Sequence, residues 1–182
     1  MDDVLQTIPS VEGVRKVRRG EGEKFDIAGA HFTWKVKAQD SAYSFSVNEM
    51  TLAPGEGVPV HSHTSAESFY VLSGEADFFR VTGGKEDWIR CEIGELMILP
   101  PNSLHGLYNH GSSDCLLLGI STAVHQTFFD AVADADRTSS FASIPRAEAM
   151  GKIAQIATEN HMFFAPIDVS KAQPHRDEWQ LV

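Results

Sequence analysis
The chain has 182 residues, enough for one domain with a sizeable buried core. Its 25 Asp+Glu against 15 Lys+Arg leave a formal net charge of -10, which argues against nucleic acid or an anionic membrane as a partner. Cys91 and Cys115 stand singly in apolar runs, so they read as buried thiols rather than as a zinc or redox pair.

Residues 1–13 read as a loose N-terminal arm. Met1-Asp2-Asp3 is acidic, no hydrophobic leader follows, and no apolar run approaches membrane-spanning length, so a cytoplasmic protein is the expectation. The basic cluster Arg15-Lys16-x-Arg18-Arg19 is diluted by Glu21 and Glu23 and reads as a solvated strand face. From Val14 to Leu118, short apolar alternations separated by turn signals predict an all-β sandwich or barrel. Phe32, Trp34 and Val36 alternate with Thr33 and Lys35, and Tyr43, Phe45 and Val47 with Ser44, Ser46 and Asn48. Residues 67–72 carry Phe69 and Val71 on one side and Tyr70 and Leu72 on the other, as expected of an interior strand. Thr82-Gly83-Gly84-Lys85 predicts a hairpin tip. Leu96–Leu99, Leu104–Tyr108 and Cys115–Ile120 supply further strands.

After Ser121 the period changes. Val124, Phe128, Phe129 and Val132 fall at helical spacing. Beyond a polar stretch, Pro145 suits the first turn of a second helix whose buried face is Ala149, Ile153, Ile156 and Ala157. Asn160-His161 ends that helix, and Phe163-Phe164 returns as an extended segment. The sequence shows no internal repeat. The expected organisation is therefore one barrel over 14–122 and a helical extension over 123–182 packed on it.

Within the β region, Gly55, His61, His63, Glu67 and Gly74 form the pattern richest in chemistry. His61 and His63 differ by two positions, so on a strand both side chains leave one face. Glu67 shares their parity, but four strand residues span roughly 13 Å, too far to share an ion along one straight strand. The small polar run Thr64-Ser65-Ala66 must therefore turn the chain and bring Glu67 back on a neighbouring strand. The spacing resembles the first cupin motif at every specified position. The second cupin motif follows as Gly94, Pro100, His105 and Asn109. It departs once, because Asn102 stands where a glycine is usual. Asn tolerates positive φ, and Pro101-Asn102 suits the centre of a type II turn, so the turn is expected to survive.

The resemblance implies a cupin double-stranded β-helix (jelly-roll barrel) with a short helical tail. It also implies His61, His63, Glu67 and His105 as ligands to one divalent transition metal ion: Fe, Mn, Ni, Co, Cu or Zn. Imidazole and carboxylate donors suit all of these. In an octahedral shell, two positions would remain open for water, dioxygen or a substrate. The alternative role for Glu67 is a hydrogen bond to a histidine from outside the ligand set. Asn109 reads as a structural residue closing a strand end. His110 has the opposite parity to His105 and is expected to face away from the ion. His31, His125, His161 and His175 lie outside the motifs and read as surface or packing residues.

The Phe128-Phe129 helix and the proline-initiated helix resemble the layout of single-domain bacterial cupins similar to quercetin (flavonol) 2,3-dioxygenases. That resemblance covers residues 14–165. It implies a dioxygenase acting on a small aromatic or enediol substrate, with Glu67 as the base taking the substrate hydroxyl proton. Phe69 shares the inward parity of Glu67 and is the candidate substrate-binding wall. Competing readings are a metal-dependent isomerase or lyase of a small sugar or acid, and a non-catalytic ligand-binding cupin. Many cupins pair through an N-terminal strand and a sheet face, which makes a homodimer built partly on Val14–Val17 the expectation.

Overall fold
A computed structural model describes residues 13–27 and 30–166. The arm at residues 1–12 and His175 lie outside the described residues. The strands are β1 (Lys24–Ile27), β2 (Ala30–Val36), β3 (Phe45–Leu52), β4 (Gly57–His63), β5 (Glu67–Ser73), β6 (Glu75–Thr82), β7 (Lys85–Glu92), β8 (Leu96–Leu99), β9 (His105–Tyr108), β10 (Cys115–Thr122) and β11 (Met162–Phe164). Two helices, α1 (Gln126–Thr138) and α2 (Arg146–Glu159), separate β10 from β11.

The strands form two antiparallel sheets. One has the order β1-β2-β3-β10-β5-β8 and the other β11-β4-β9-β6-β7. Alternating side chains from both inner faces interdigitate, as two packed sheets require. Phe32, Met50, Phe69, Val71, Phe78, Leu107 and Leu117 belong to one buried cluster. Phe128, Phe129, Val132, Ile153 and Ala157 join the same cluster, so the two helices close one side of the barrel core. Phe129 is the keystone. Its ring meets Phe25 at 5.5 Å, Phe32 at 5.3 Å and Trp34 at 5.6 Å. Each such pair contributes about 0.5–1.5 kcal/mol beyond area burial.

The tight connections follow from residue chemistry. Gly83 and Gly84, at φ 58° and 78°, make the two-residue tip between β6 and β7. Asn102 adopts φ 63°, the left-handed conformation its motif position needs. Its backbone N–H donates to the His63 carbonyl at 2.7 Å, so the turn of the second motif is tied directly to the strand of the first. Asn109 is structural: its Nδ2 donates to the Leu52 and Ser113 carbonyls, both at 2.8 Å, and its Oδ1 accepts from Gly111 N–H at 2.9 Å. Gly74 (φ 74°) is needed on two counts, because a Cβ there would also sit 2.6 Å from the Asp114 carbonyl oxygen.

Four expectations need correction. Val14–Val17 is irregular chain rather than a strand, and the first described strand is β1. The basic cluster is therefore solvated but not on a strand face. On β3 the apolar series points the other way: Ser46, Asn48, Met50 and Leu52 are buried while Phe45 is exposed, and Tyr43 precedes the strand. Of the two polar inner positions, Ser46 is accommodated, its Oγ 3.1 Å from Ser121 Oγ, whereas Asn48 Oδ1 is buried without a hydrogen-bond partner. Strand β5 does lie inside its sheet, between β10 and β8, but only Glu67, Phe69 and Val71 face the core. Tyr70 and Leu72 stand on an uncovered outer face. Finally, Val124 falls in a 3-10 turn (Ala123–His125) before α1 and is exposed, leaving Phe128, Phe129 and Val132 as the buried stripe.

Candidate metal centre
Strand β4 carries His61 and His63 into the barrel, and β9 carries His105 beside them in register, with His61 opposite His105. Strand β5 brings Glu67 from the other sheet. The chain turns at Thr64–Ala66, as its composition predicts, but β4 and β5 are not hydrogen-bonded neighbours. Glu67 meets the histidines across the barrel interior. All four side chains are buried.

Each histidine of the trio is oriented the same way. Nδ1–H of His61 donates to the Pro59 carbonyl at 2.7 Å, that of His63 to Ser65 at 3.0 Å and that of His105 to Ser103 at 2.9 Å. A carbonyl can only accept, so the proton resides on Nδ1 and every Nε2 presents a lone pair inward. The ring centroids are 4.4 Å (His61–His105), 4.8 Å (His63–His105) and 5.4 Å (His61–His63) apart. Their donor atoms all lie within 4.8 Å of one another. Nε2 of His63 and of His105 are buried with no hydrogen-bond partner. An unpaired buried polar atom costs about 1–3 kcal/mol, and two aimed at one point are what a bound cation would satisfy.

Glu67 Oε2 lies 3.5 Å from His63 Nε2 and 3.9 Å from His105 Nε2. Its other oxygen, Oε1, lies 3.6 Å from Nε2 of His125. His125 is buried and its ring lies tilted against that of His63, centroids 4.3 Å apart, so it belongs to this corner rather than to general packing. His63, Glu67 and His125 form a second group of donors within 4.8 Å, sharing His63 with the first. Sequence reasoning placed His125 elsewhere because it follows the last barrel strand and belongs to neither motif. The other histidines behave as expected: His31 is an exposed partner of Asp26, His110 pairs with Asp77 away from the trio, and His161 is exposed at the end of α2.

Burial sets the protonation states. It lowers the His61 imidazole to about 3 and His125 to about 4, and lowers His105 as well. For Glu67 burial alone would raise the carboxyl, but facing His125 and His63, with His105 beyond, outweighs it and brings the group down to about 2. At neutral pH His61, His105 and His125 are therefore neutral imidazoles and Glu67 a carboxylate, the donor types a divalent first-row ion takes. The cysteines are not candidates. Burial raises Cys91 to about 11 and Cys115 to about 12, so both stay protonated.

Beside the donors lies an apolar chamber of about 60 Å³. Phe32, Phe69, Leu107, Phe128, Phe129 and Phe164 form much of its wall, and His61, Glu67 and His125 are its only ionisable groups among the described residues.

Residues 48–121 match the Cupin domain family. Mannose-1-phosphate guanylyltransferase RfbM of Salmonella typhimurium is 35% identical over 92 residues, which is 50% of this chain and 18% of that enzyme. Among solved structures, the polyketide cyclase RemF of Streptomyces resistomycificus superposes with a TM-score of 0.53 at 19% identity, covering 60% of this chain and 80% of the cyclase. A predicted oxalate decarboxylase of Thermotoga maritima gives a TM-score of 0.53 at 21% identity, covering 59% of this chain and 98% of that one. No helix among the described residues is long and apolar enough to cross a membrane. Residues 48–121 thus match a cupin domain, and the chain carries the cupin double-stranded β-helix fold with a candidate metal site of three histidines and one glutamate in its interior.

Proposed function
We propose that this chain is a metal-dependent dioxygenase, similar in kind to quercetin 2,3-dioxygenase, acting on a small aromatic or enediol substrate. The observation that carries the reading is the chamber next to the donors, walled by aromatic and aliphatic side chains and without a lysine or arginine. A sugar phosphate would need cationic partners there. The reading therefore stands ahead of a sugar isomerase, despite the partial sequence similarity to a sugar-nucleotide enzyme.

In this reading His61, His63, His105 and Glu67 hold one divalent ion. The ion would supply Lewis acidity toward a substrate oxygen. Glu67 is the base: Oε2 faces His63 and His105, and Oε1, on the side of His125 and the chamber, can accept the substrate hydroxyl proton. Phe69 forms part of the wall against which an aromatic ring packs. An apolar cavity that holds benzene measures about 150 Å³, so the chamber as it stands admits dioxygen but not a ring. The α1–α2 wall must yield for substrate, and a one-ring substrate suits the site better than a three-ring flavonol.

The test is oxygen uptake with a panel of small phenols and enediols, after elemental analysis of protein purified without added metal. Uptake that disappears in His63→Ala supports the proposal. Full turnover without oxygen would replace it by an isomerase or lyase, and retained metal without turnover by a binding function. Protein that takes up none of Fe, Mn, Ni or Zn would remove it. A homodimer is part of the same reading. Tyr70, Leu96, Ile98 and Ile120 leave the outer face of the six-stranded sheet apolar and uncovered, as a subunit interface requires. The chain should elute at twice its monomer mass, and Ile98→Lys should shift it to the monomer position.

A further inference from the structure
We propose that His125 is a fifth protein donor to the metal centre. The inference rests on the metal reading above and extends the ligand set beyond the two cupin motifs. Two adjacent donors, each about 2.1 Å from a shared ion, lie about 3 Å apart, and two opposite donors about 4.2 Å. The separations around Glu67 fall in that range: 3.5 Å and 3.9 Å from Oε2 to His63 and His105, and 3.6 Å from Oε1 to His125. Glu67 and His63 thus link His125 to the trio, since the two donor groups share His63.

The position of His125 is built rather than incidental. It ends the 3-10 turn between β10 and α1. The next residue, Gln126, accepts a hydrogen bond from the Ala38 N–H at 2.7 Å and donates to Asp130 at 3.0 Å, which pins the start of the helix. The His125 ring lies edge-on to Phe129 at 5.0 Å and beside His63 at 4.3 Å. Its Nε2 faces the Glu67 carboxylate. With five protein donors, a six-coordinate ion keeps one open position. Substrate would then bind through a single oxygen rather than as a chelate.

The proposal is tested on the cobalt(II)-loaded full-length protein by proton NMR, counting exchangeable hyperfine-shifted imidazole N–H signals. Wild-type protein should give four, and His125→Phe, which keeps an aromatic ring at this position, should give three. Competition with a chromophoric chelator should show cobalt(II) held at least about tenfold more weakly by both His125→Phe and His125→Asn. Three signals in the loaded wild type overturn the proposal whatever the variants do. So does affinity within twofold of wild type in the variants, or weakened affinity with an unchanged signal count, which would make His125 a positioning residue only. Wild-type protein that binds no cobalt overturns the metal reading and this inference together. Binding with three signals overturns this inference alone.

Discussion

Two buried carboxylates in this barrel each face histidine, and their surroundings differ in one respect. Asp77 on β6 accepts from Arg90 Nε at 2.8 Å and Nη2 at 3.1 Å, and from His110 Nδ1–H at 2.8 Å. Arg90 also reaches Glu75 at 3.0 Å. Both Asp77 oxygens have partners at hydrogen-bonding distance, and a guanidinium supplies the countercharge. Glu67 is also buried, yet its neighbours are imidazoles at 3.5 to 3.9 Å, and two of those imidazoles have unpaired nitrogens. The first network is complete without anything added. The second is an arrangement of acceptors around a common space, which a cation would complete.

The sharpest way to break this contrast is to remove one member of each. His63 belongs to both donor groups, so His63→Ala should lower bound metal from near one equivalent to near zero by elemental analysis, with the fold retained by circular dichroism. The loss should exceed the roughly 10–100-fold that removing an outer contact costs. Asp77→Ala should do the reverse. It takes the buried countercharge from Arg90 and His110 and should destabilise the protein by about 3 kcal/mol in urea, while metal stoichiometry stays at the wild-type value.

Acid should separate the two regions next. His61, lowered to about 3, binds no proton in the folded apoprotein between its ordinary value of 6.5 and about 3, whereas the unfolded chain does. The unfolded state therefore takes up more protons in that window, and stability falls as pH falls, by about 1.4 kcal/mol per pH unit for each such histidine. His125, lowered to about 4, acts with the same sign. Glu67, lowered from 4.5 to about 2, adds to the loss below pH 4.5. Urea midpoints of the apoprotein should drop steeply below about pH 6.5, and His61→Asn should flatten that slope by about one proton. Equal slopes would mean that the corner is not held neutral.

The smallest expected effect concerns the backbone beneath the site. At Asn102, with φ 63°, a glycine should cost nothing measurable, whereas Asn102→Ala should cost about 1 kcal/mol. In both variants metal binding should stay unchanged, because the link to His63 runs through the main-chain N–H.

Much of this was legible in the sequence because strands impose a period of two and cupin turns demand particular residues. His61 and His63 had to share a face, the hairpin at Gly83-Gly84 had to close, and Asn102 had to take positive φ. What escaped has physical causes. On β3, Phe45 and Val47 look like a core stripe, but the neighbouring Ser46 and Asn48 pack inward beside Ser121 and Gly119, and the apolar residues are left outside. Alternation fixes that two faces differ, not which one is buried. His125 escaped because its placement depends on how the chain leaves β10, through a 3-10 turn whose periodicity matches neither strand nor α-helix.

Strand β11 pairs Met162 with His63 and Phe164 with His61. Without it, the histidine-bearing strand would be a bare edge, since β9 covers only its other side. On a ribosome, that edge is made roughly a hundred residues before its partner emerges. Until then the two imidazoles sit on a strand whose hydrogen-bonding groups are half unanswered, an invitation to mispairing. Loading of an ion during synthesis, or its absence, would therefore bear on the yield of correctly finished chains as well as on their activity.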